Sequence, residues 1–190
     1  GKVFVMVFSV ADLDHYDNRP GRVLGETRRK ELADAVAALG VDDHEVVLSD
    51  DFHLRLDTVP RRDLVGKIER EARLSLDRVK PTMLVLPAPS YNQDHEALYH
   101  AGVAACRPHL ASMKAFQPFV LVADAPQLAW GDRPFRPNLY VDISDCLGKK
   151  LDAYRCHRSQ QRPPPHQAGV DALEMLARAR GREISVEAAE

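Results

Sequence analysis

Short apolar runs alternate with helix-like segments along most of this chain. The first run, at positions 3–8, is apolar throughout and alternates valine with phenylalanine or methionine, which is typical of a strand buried on both faces. Further short strands are expected at positions 45–48, 83–86, 119–122 and 139–141. This alternation implies right-handed βαβ units and a mainly parallel sheet, so we predict an α/β fold of the Rossmann-like, three-layer type.

Helices are predicted between these strands, because apolar residues recur there every three or four positions. In chain order, the helices carry Leu32, Val36 and Leu39 before Gly40; Leu64, Val65, Ile68 and Ala72 after Pro60; Leu98, Ala101 and Ala105 after Asp94; then positions 143–154, and positions 170–180 ended by Gly181. A glycine just past the last periodic residue is a common helix end. No linker separates these segments, so residues 1–190 are predicted to form a single domain.

The composition argues against several classes of function. A net charge of −2 provides no basic field for nucleic acid, and the apolar run at 3–8 is too short to span a membrane. The three cysteines form no C-x-x-C pair, which argues against a disulfide framework and a zinc knuckle. We therefore expect a cytoplasmic protein with a small-molecule partner, and the sequence leaves homo-oligomerisation open.

The loop at positions 87–95 is the most informative candidate site. It follows a predicted strand, and ligands of parallel α/β folds collect at the carboxyl ends of strands. His95 at a helix start, preceded by Asp94, suits a metal ligand with a carboxylate beside it. The alternative is structural, because an acidic residue at a helix N-terminus often serves only as a cap. From the residues alone, the structural alternative is favoured.

Several sequence stretches, taken in their order, favour the metal-ligand interpretation over the structural one. They are Arg28-Arg29-Lys30-Glu31-Leu32, Leu39-Gly40-Val41, Asp50-Asp51-Phe52, Asn92-Gln93-Asp94-His95, Phe135-Arg136-Pro137-Asn138-Leu139-Tyr140-Val141-Asp142-Ile143-Ser144, Ser159-Gln160, and Ala177-Arg178-Ala179-Arg180-Gly181. In order and spacing they resemble the LmbE / PIG-L family of zinc-dependent de-N-acetylases. The resemblance extends over essentially the whole chain.

The resemblance implies hydrolysis of an N-acetyl group on an amino sugar or sugar conjugate, with Zn²⁺ as the cofactor. It makes His95 a zinc ligand and Asp94 an orienting or proton-relay carboxylate. Asn92 takes a position that is often His in the family. The resemblance also makes Arg28 and Asp51 candidates for binding sugar hydroxyls.

The chain departs from the family pattern in several places. The first family motif, A-H-P-D-D, is absent, so we expect that the first strand-helix unit is missing and that the chain is N-terminally incomplete. Ala123-Asp124 stands where the family usually has Tyr-Glu, and Gln167-Ala168 follows His166 where an Arg is usual. These departures keep an alternative open, namely a degenerate, non-catalytic carbohydrate-binding homologue.

Two further groups of residues have open interpretations. The loop with Asp12, Asp14, His15 and Asp17 follows the first strand and is a rival source of metal ligands, although a solvated acidic loop is the simpler interpretation. His166 is either a substrate-binding residue on a loop or a surface histidine.

Overall fold

A computed structural model describes residues 1–14, 21–129 and 135–190. Its strands, in chain order, are β1 (Phe4–Val7), β2 (Leu13–Asp14), β3 (Arg22–Val23), β4 (Asp43–Val46), β5 (Met83–Pro87) and β6 (Phe119–Ala123). Its α-helices are α1 (Gly25–Leu39), α2 (Arg61–Gly66), α3 (Leu76–Val79), α4 (Gln93–Ala105), α5 (Leu147–Arg155) and α6 (Val170–Glu183). Shorter 3-10 turns lie at Asp50–Phe52, Leu56–Thr58, Pro126–Ala129, Ser144–Cys146 and Arg158–Gln160, and a π-helical turn at Lys67–Glu71 continues α2.

The chain divides into two compact units. The first unit comprises Gly1–Val3, Val10–Asp42 and Asp124–Glu190, and the second comprises Phe4–Ser9 and Asp43–Ala123. The prediction of a single domain remains a prediction.

The second unit contains both parallel strand pairs. β1 pairs with β4, with Phe4 opposite Asp43, and β5 pairs with β6, with Met83 opposite Phe119. The core of the unit lies against α2 and α4 and is built from apolar side chains, namely Phe8, Leu56, Leu64, Ile68, Ala101 and Ala105. The apolar faces of the predicted helices after Pro60 and Asp94 supply most of this core, so those two predictions are confirmed.

The first unit is mainly helical. α1 ends where predicted, because Gly40 has φ 73° and its N–H bonds back to the carbonyl of Ala37. α5 and α6 share a small core of Leu147, Leu151, Ala177 and Ala188. The antiparallel pair β2 and β3 also belongs to this unit.

The predicted α/β class with parallel strand pairs is confirmed, and two local predictions are wrong. No strand forms at 139–141; instead Val141 exchanges two backbone hydrogen bonds with Glu190, and Asp142 forms an isolated bridge with Ala189. Among the described residues, the backbone of this segment bonds only to positions 188–190, and these few bonds do not form a strand.

The second error concerns Gly181, which lies inside α6 instead of ending it. A Cβ at this position would lie 2.7 Å from the backbone nitrogen of Ala188. The glycine therefore permits the C-terminal tail to approach the helix, and its role is packing rather than termination. In the described parts of the chain, no helix is long and apolar enough to span a membrane.

Candidate functional site

The N-terminus of α4 is capped by Asn92. Its Oδ1 accepts hydrogen bonds from the backbone N–H groups of Asp94 at 2.9 Å and His95 at 3.3 Å. The backbone N–H of Asn92 in turn donates to the Ser90 Oγ at 3.1 Å. Asn92 therefore performs the capping function that the sequence alone had made the alternative role of Asp94.

Asp94 is instead a buried carboxylate that binds the main chain of a distant loop. The residue is only 7% exposed. Its Oδ2 accepts from the Leu54 N–H at 2.8 Å, and its Oδ1 accepts from the Leu56 N–H at 2.9 Å. Leu54 has a positive φ of 57°, a conformation that a leucine holds only when its surroundings fix it. The carboxylate thus fixes the conformation of the loop that follows β4.

His95 lies one residue further along α4 and is half-buried. Its Nδ1 is 3.4 Å from the Ser90 Oγ. Burial lowers the pKa of the His95 imidazole, and the charge of Asp94 offsets only part of that effect. The ring is therefore neutral at neutral pH, the state in which an imidazole nitrogen has a lone pair for a metal ion.

A second imidazole of this unit, His53, was missed in the sequence analysis. Its Nδ1 lies 3.3 Å from the Ser9 Oγ, just beyond the end of β1. His53 immediately precedes Leu54, which Asp94 holds. The signal that could have identified it is its place in the loop after β4, since the carboxyl ends of parallel strands gather functional side chains.

Asp51 lies in the same loop, two positions before His53, on the turn Asp50–Phe52. Its side chain is exposed. The structure thus assigns Asp51, Asn92, Asp94 and His95 to the second unit, and it places Arg28 and His166 in the first.

Arg28 is half-buried on α1. Its Nη1 donates to the carbonyl oxygen of Ala11 at 2.7 Å. Burial lowers the pKa of the guanidinium, and the charge of Glu31 raises it in part. Glu31, one turn further along the helix, is buried and accepts from both the backbone N–H and the hydroxyl of Ser159, at 2.7 and 2.6 Å.

Two histidines of the first unit differ in environment. His157 is half-buried beside this pair, and its pKa is lowered by burial, with Glu31 raising it and Arg28 lowering it further. His166 is exposed, and its Nδ1 accepts from the Ala168 N–H at 3.0 Å. The ring of His166 therefore closes a local turn.

The rival acidic loop is only partly described. Asp12 accepts from the Gly25 N–H at 2.6 Å and pairs with Arg22 at 2.8 Å, so it caps the start of α1. The backbone bond from Gly25, followed by the bond from Arg22, lowers the pKa of the Asp12 carboxyl. Asp14 is exposed in β2, and His15 and Asp17 lie outside the described residues.

The described side chains do not by themselves fit a complete metal centre. Within residues 1–14, 21–129 and 135–190, no group of three or more His, Cys, Asp or Glu side chains is arranged to hold an ion. A protein zinc site normally needs at least three such ligands. Asp94 is also occupied, because each of its carboxylate oxygens accepts a backbone N–H.

Comparisons with known proteins bear on this arrangement. No curated protein matches the chain. Among solved structures, the crystal structure of the conserved protein TT1542 from Thermus thermophilus is similar, with a TM-score of 0.69 and 23% sequence identity, over 100% of this chain and 92% of that chain. At this identity the likeness shows the fold alone. The sequence model of a family described as PIG-L, GlcNAc-PI de-N-acetylase, matches residues 2–106. Because that match extends over more than half of the sequence, the chain belongs to the PIG-L family.

Proposed function

We propose that this protein is a zinc-dependent hydrolase that removes the N-acetyl group from an N-acetylated amino sugar or sugar conjugate. Family membership supports an activity of the de-N-acetylase type. The observation that carries the proposal is the environment of His95, which is half-buried at the start of α4 after β5 and has a lowered pKa. A small-molecule substrate and a cytoplasmic location are part of the proposal.

We assign His95 the role of one zinc ligand. The described side chains do not complete a metal centre, so the assignment ends at this single ligand. The contact between Nδ1 of His95 and the Ser90 Oγ leaves the other ring nitrogen as the natural donor to an ion.

Asp94 acts on this site by orientation. Both of its oxygens are engaged by the N–H groups of Leu54 and Leu56, so the carboxylate holds the loop between β4 and α2 in place. Asn92 fixes the N-terminus of α4 and hence the backbone of His95. In the proposal, both residues contribute to catalysis by positioning.

Three polar side chains are each proposed as candidates for binding a substrate hydroxyl, namely Arg28, Asp51 and His166. Asp51 presents an exposed carboxylate, and Arg28 presents a half-buried guanidinium, a group suited to multiple hydrogen bonds. His166 is assigned more loosely, since its Nδ1 is already bonded to Ala168 and leaves one ring nitrogen for a substrate.

The test uses the full-length protein. Acetate release from N-acetylglucosamine conjugates is measured before chelation, after zinc removal and after zinc is restored. We expect His95→Ala to lose its bound zinc and to lose activity by at least about 100-fold, because the metal would lose a ligand. Asp94→Asn should keep zinc but slow turnover. His100→Ala is the matched control, because His100 is an exposed histidine of the same helix that lies 3.8 Å from Glu96 and against the ring of Tyr99, away from the candidate site.

Three outcomes contradict the proposal in different ways. Activity that survives complete zinc removal contradicts the mechanism, and equal zinc in the wild type and His95→Ala contradicts the ligand assignment. Inactivity against a broad panel of N-acetylated sugars, together with measurable sugar binding, would favour the non-catalytic carbohydrate-binding alternative.

A further inference from the structure

Three cations of the second unit converge on one buried carboxylate. The Glu69 side chain is 5% exposed and accepts from Arg70 at 3.1 Å, from Arg107 at 2.9 Å and from Lys114 at 2.7 Å. We call these four residues the Glu69 cluster. It lies outside the candidate site.

The cluster carries more positive than negative charge. One carboxylate faces three cations, and the surplus is only partly relieved by the carbonyls of Ala104 and Ala105 at the end of α4, which accept from Arg107 and Lys114. Burial raises the pKa of the Glu69 carboxyl, but the cations, Lys114 first, outweigh burial and lower it overall. Glu69 is therefore ionised at neutral pH, and the formal charge of the cluster is about +2.

An open cavity of about 180 Å³ adjoins the cluster. All four of its members line the cavity, together with Asp77, His109 and Met113. Asp77 reduces the surplus charge by one. A neighbouring cavity, lined in part by Lys80, shares Asp77 and Lys114 and brings a further cation close to the same surface. The net charge around the two cavities is therefore positive.

The two guanidinium groups have spare donors. Arg70 and Arg107 each use only Nη1 in their contacts with the described residues. A guanidinium carries five N–H donors in a planar fork that matches a tetrahedral oxyanion bidentately. The cavity thus combines surplus positive charge with the donor geometry that such an anion requires.

We propose that the cavity beside the Glu69 cluster binds a phosphate-type anion, with Arg70 and Arg107 as its principal donors and Lys114 as a fixed point charge. The same chemistry could come from a soluble phosphate ester or from the headgroup of an anionic phospholipid. Three exposed apolar side chains favour the phospholipid headgroup. Leu110, Met113 and Phe116 are each 68% exposed on the segment that supplies Lys114. The site is independent of the proposed hydrolysis.

Binding is tested first with inorganic phosphate. Calorimetric titration and thermal unfolding are followed at constant ionic strength, with chloride as the replacement anion. We expect saturable binding to the wild type and a phosphate-dependent rise in Tm. Arg70→Gln and Arg107→Gln should each weaken binding by about tenfold, the factor expected for losing one charge-assisted contact.

Arg62→Gln is the matched control, because it removes the same charge from an arginine of this unit that is 89% exposed and, among the described residues, pairs only with the adjacent Asp63. It should bind phosphate as the wild type does. Circular dichroism confirms that each variant is folded. Arg70→Gln guards against loss of fold in Arg107→Gln, since the Arg70 side chain bonds, among the described residues, only to its neighbour Glu69. Absence of saturable binding, or equal weakening in Arg62→Gln, overturns the proposal.

A second experiment distinguishes the two sources. Sedimentation is measured with vesicles of phosphatidylglycerol and, for comparison, of phosphatidylcholine, in parallel with titration of a hexose 6-phosphate. Selective binding to phosphatidylglycerol that is lost in Arg70→Gln and in Met113→Ser assigns a headgroup. Tight binding of the hexose phosphate without vesicle binding assigns a soluble ester. If neither vesicles nor the hexose phosphate bind, and inorganic phosphate does not bind either, the proposed anion site is wrong. The proposed hydrolase activity does not depend on that result.

Discussion

Each unit buries a helical carboxylate that accepts hydrogen bonds from neutral donors, and the donors differ in kind. Asp94, in the second unit, accepts two backbone N–H groups, those of Leu54 and Leu56. Glu31, in the first unit, accepts one backbone N–H and one hydroxyl, both from Ser159. The contact of Glu31 depends on the identity of its partner, whereas the contact of Asp94 depends only on the course of the main chain.

The residues that donate to the two carboxylates also differ in how deeply they are buried. The Leu56 N–H lies in the core, in a residue 1% exposed, where water cannot replace a lost acceptor. Ser159 is half-buried, so water can reach its donors. We therefore expect the second unit to be the more sensitive to loss of its carboxylate.

Loss of the two carboxylates should give the largest effects. Asp94→Ala leaves the Leu56 N–H without an acceptor in the core and should lower the free energy of unfolding by about 2–4 kcal/mol. Glu31→Ala should cost less, about 1–2 kcal/mol, because water can take up the donors of Ser159. Urea unfolding measures both, with Asp57→Ala, at an exposed aspartate, as the control. A larger loss in Glu31→Ala than in Asp94→Ala would reverse the comparison.

Helical glycines should give intermediate effects. Gly181→Ala, in the first unit, places a Cβ 2.7 Å from the backbone nitrogen of Ala188 and should cost about 1–3 kcal/mol, because the main chain of the tail must move. Gly102→Ala, in the second unit, meets the end of the Leu86 side chain, which can rotate, so its cost should be smaller. Thermal unfolding compares the two variants.

Gly148→Ala is the control for helix propensity, since a Cβ there has nothing within 4 Å. It should stabilise the protein by up to about 1 kcal/mol. Destabilisation by Gly148→Ala similar to that of Gly181→Ala would show that close packing of the tail is not the cause.

The smallest effects should appear in the pH dependence of stability. His95 and His157 both have pKa values lowered from 6.5, with burial as the largest cause. Below pH 6.5 the unfolded chain therefore binds more protons than the folded one, and stability falls as the pH drops toward the folded pKa values. Each histidine contributes at most about 1.4 kcal/mol per pH unit within that window.

Replacement by glutamine tests these contributions one unit at a time. His95→Gln and His157→Gln should each flatten the fall in unfolding free energy between pH 7 and pH 5. A steeper fall in either variant would mean that the imidazole is stabilised in its charged form, the opposite of what its burial indicates.

The sequence predicted correctly those elements that depend on a local pattern. It predicted wrongly those elements whose structure depends on contacts with backbone distant in sequence. α1 and its end at Gly40 follow from periodicity and the αL preference of glycine, and both are confirmed. Gly181 carries the same local signal, but its role is set by Ala188, whose approach no periodicity reveals. The absence of a strand at 139–141 has the same origin, because the only backbone hydrogen bonds of that segment among the described residues are with Glu190.

The candidate site was predictable to a similar extent. The loop leading to His95 was located by the general rule for strand ends and by the resemblance of Asn92-Gln93-Asp94-His95. The sequence did not predict that Asn92 caps the helix while Asp94 binds the loop. That division depends on the backbone N–H groups of residues 54 and 56, which are remote from Asp94 in sequence. His53 was missed because its neighbour Ser9 is equally remote in sequence.

The hydrogen bonds between the Asp94 carboxylate and the main chain affect which substitutions the loop tolerates. A contact made to amides is indifferent to side chains, so almost any amino acid could in principle donate to this carboxylate from positions 54 and 56. Proline is the exception, because it has no N–H, and at Leu54 its fixed negative φ would also oppose the observed 57°. Position 54 can therefore change to other residues that tolerate a positive φ without losing the contact, whereas Leu56 is held by the core as well, and a change to proline at either position would remove a donor.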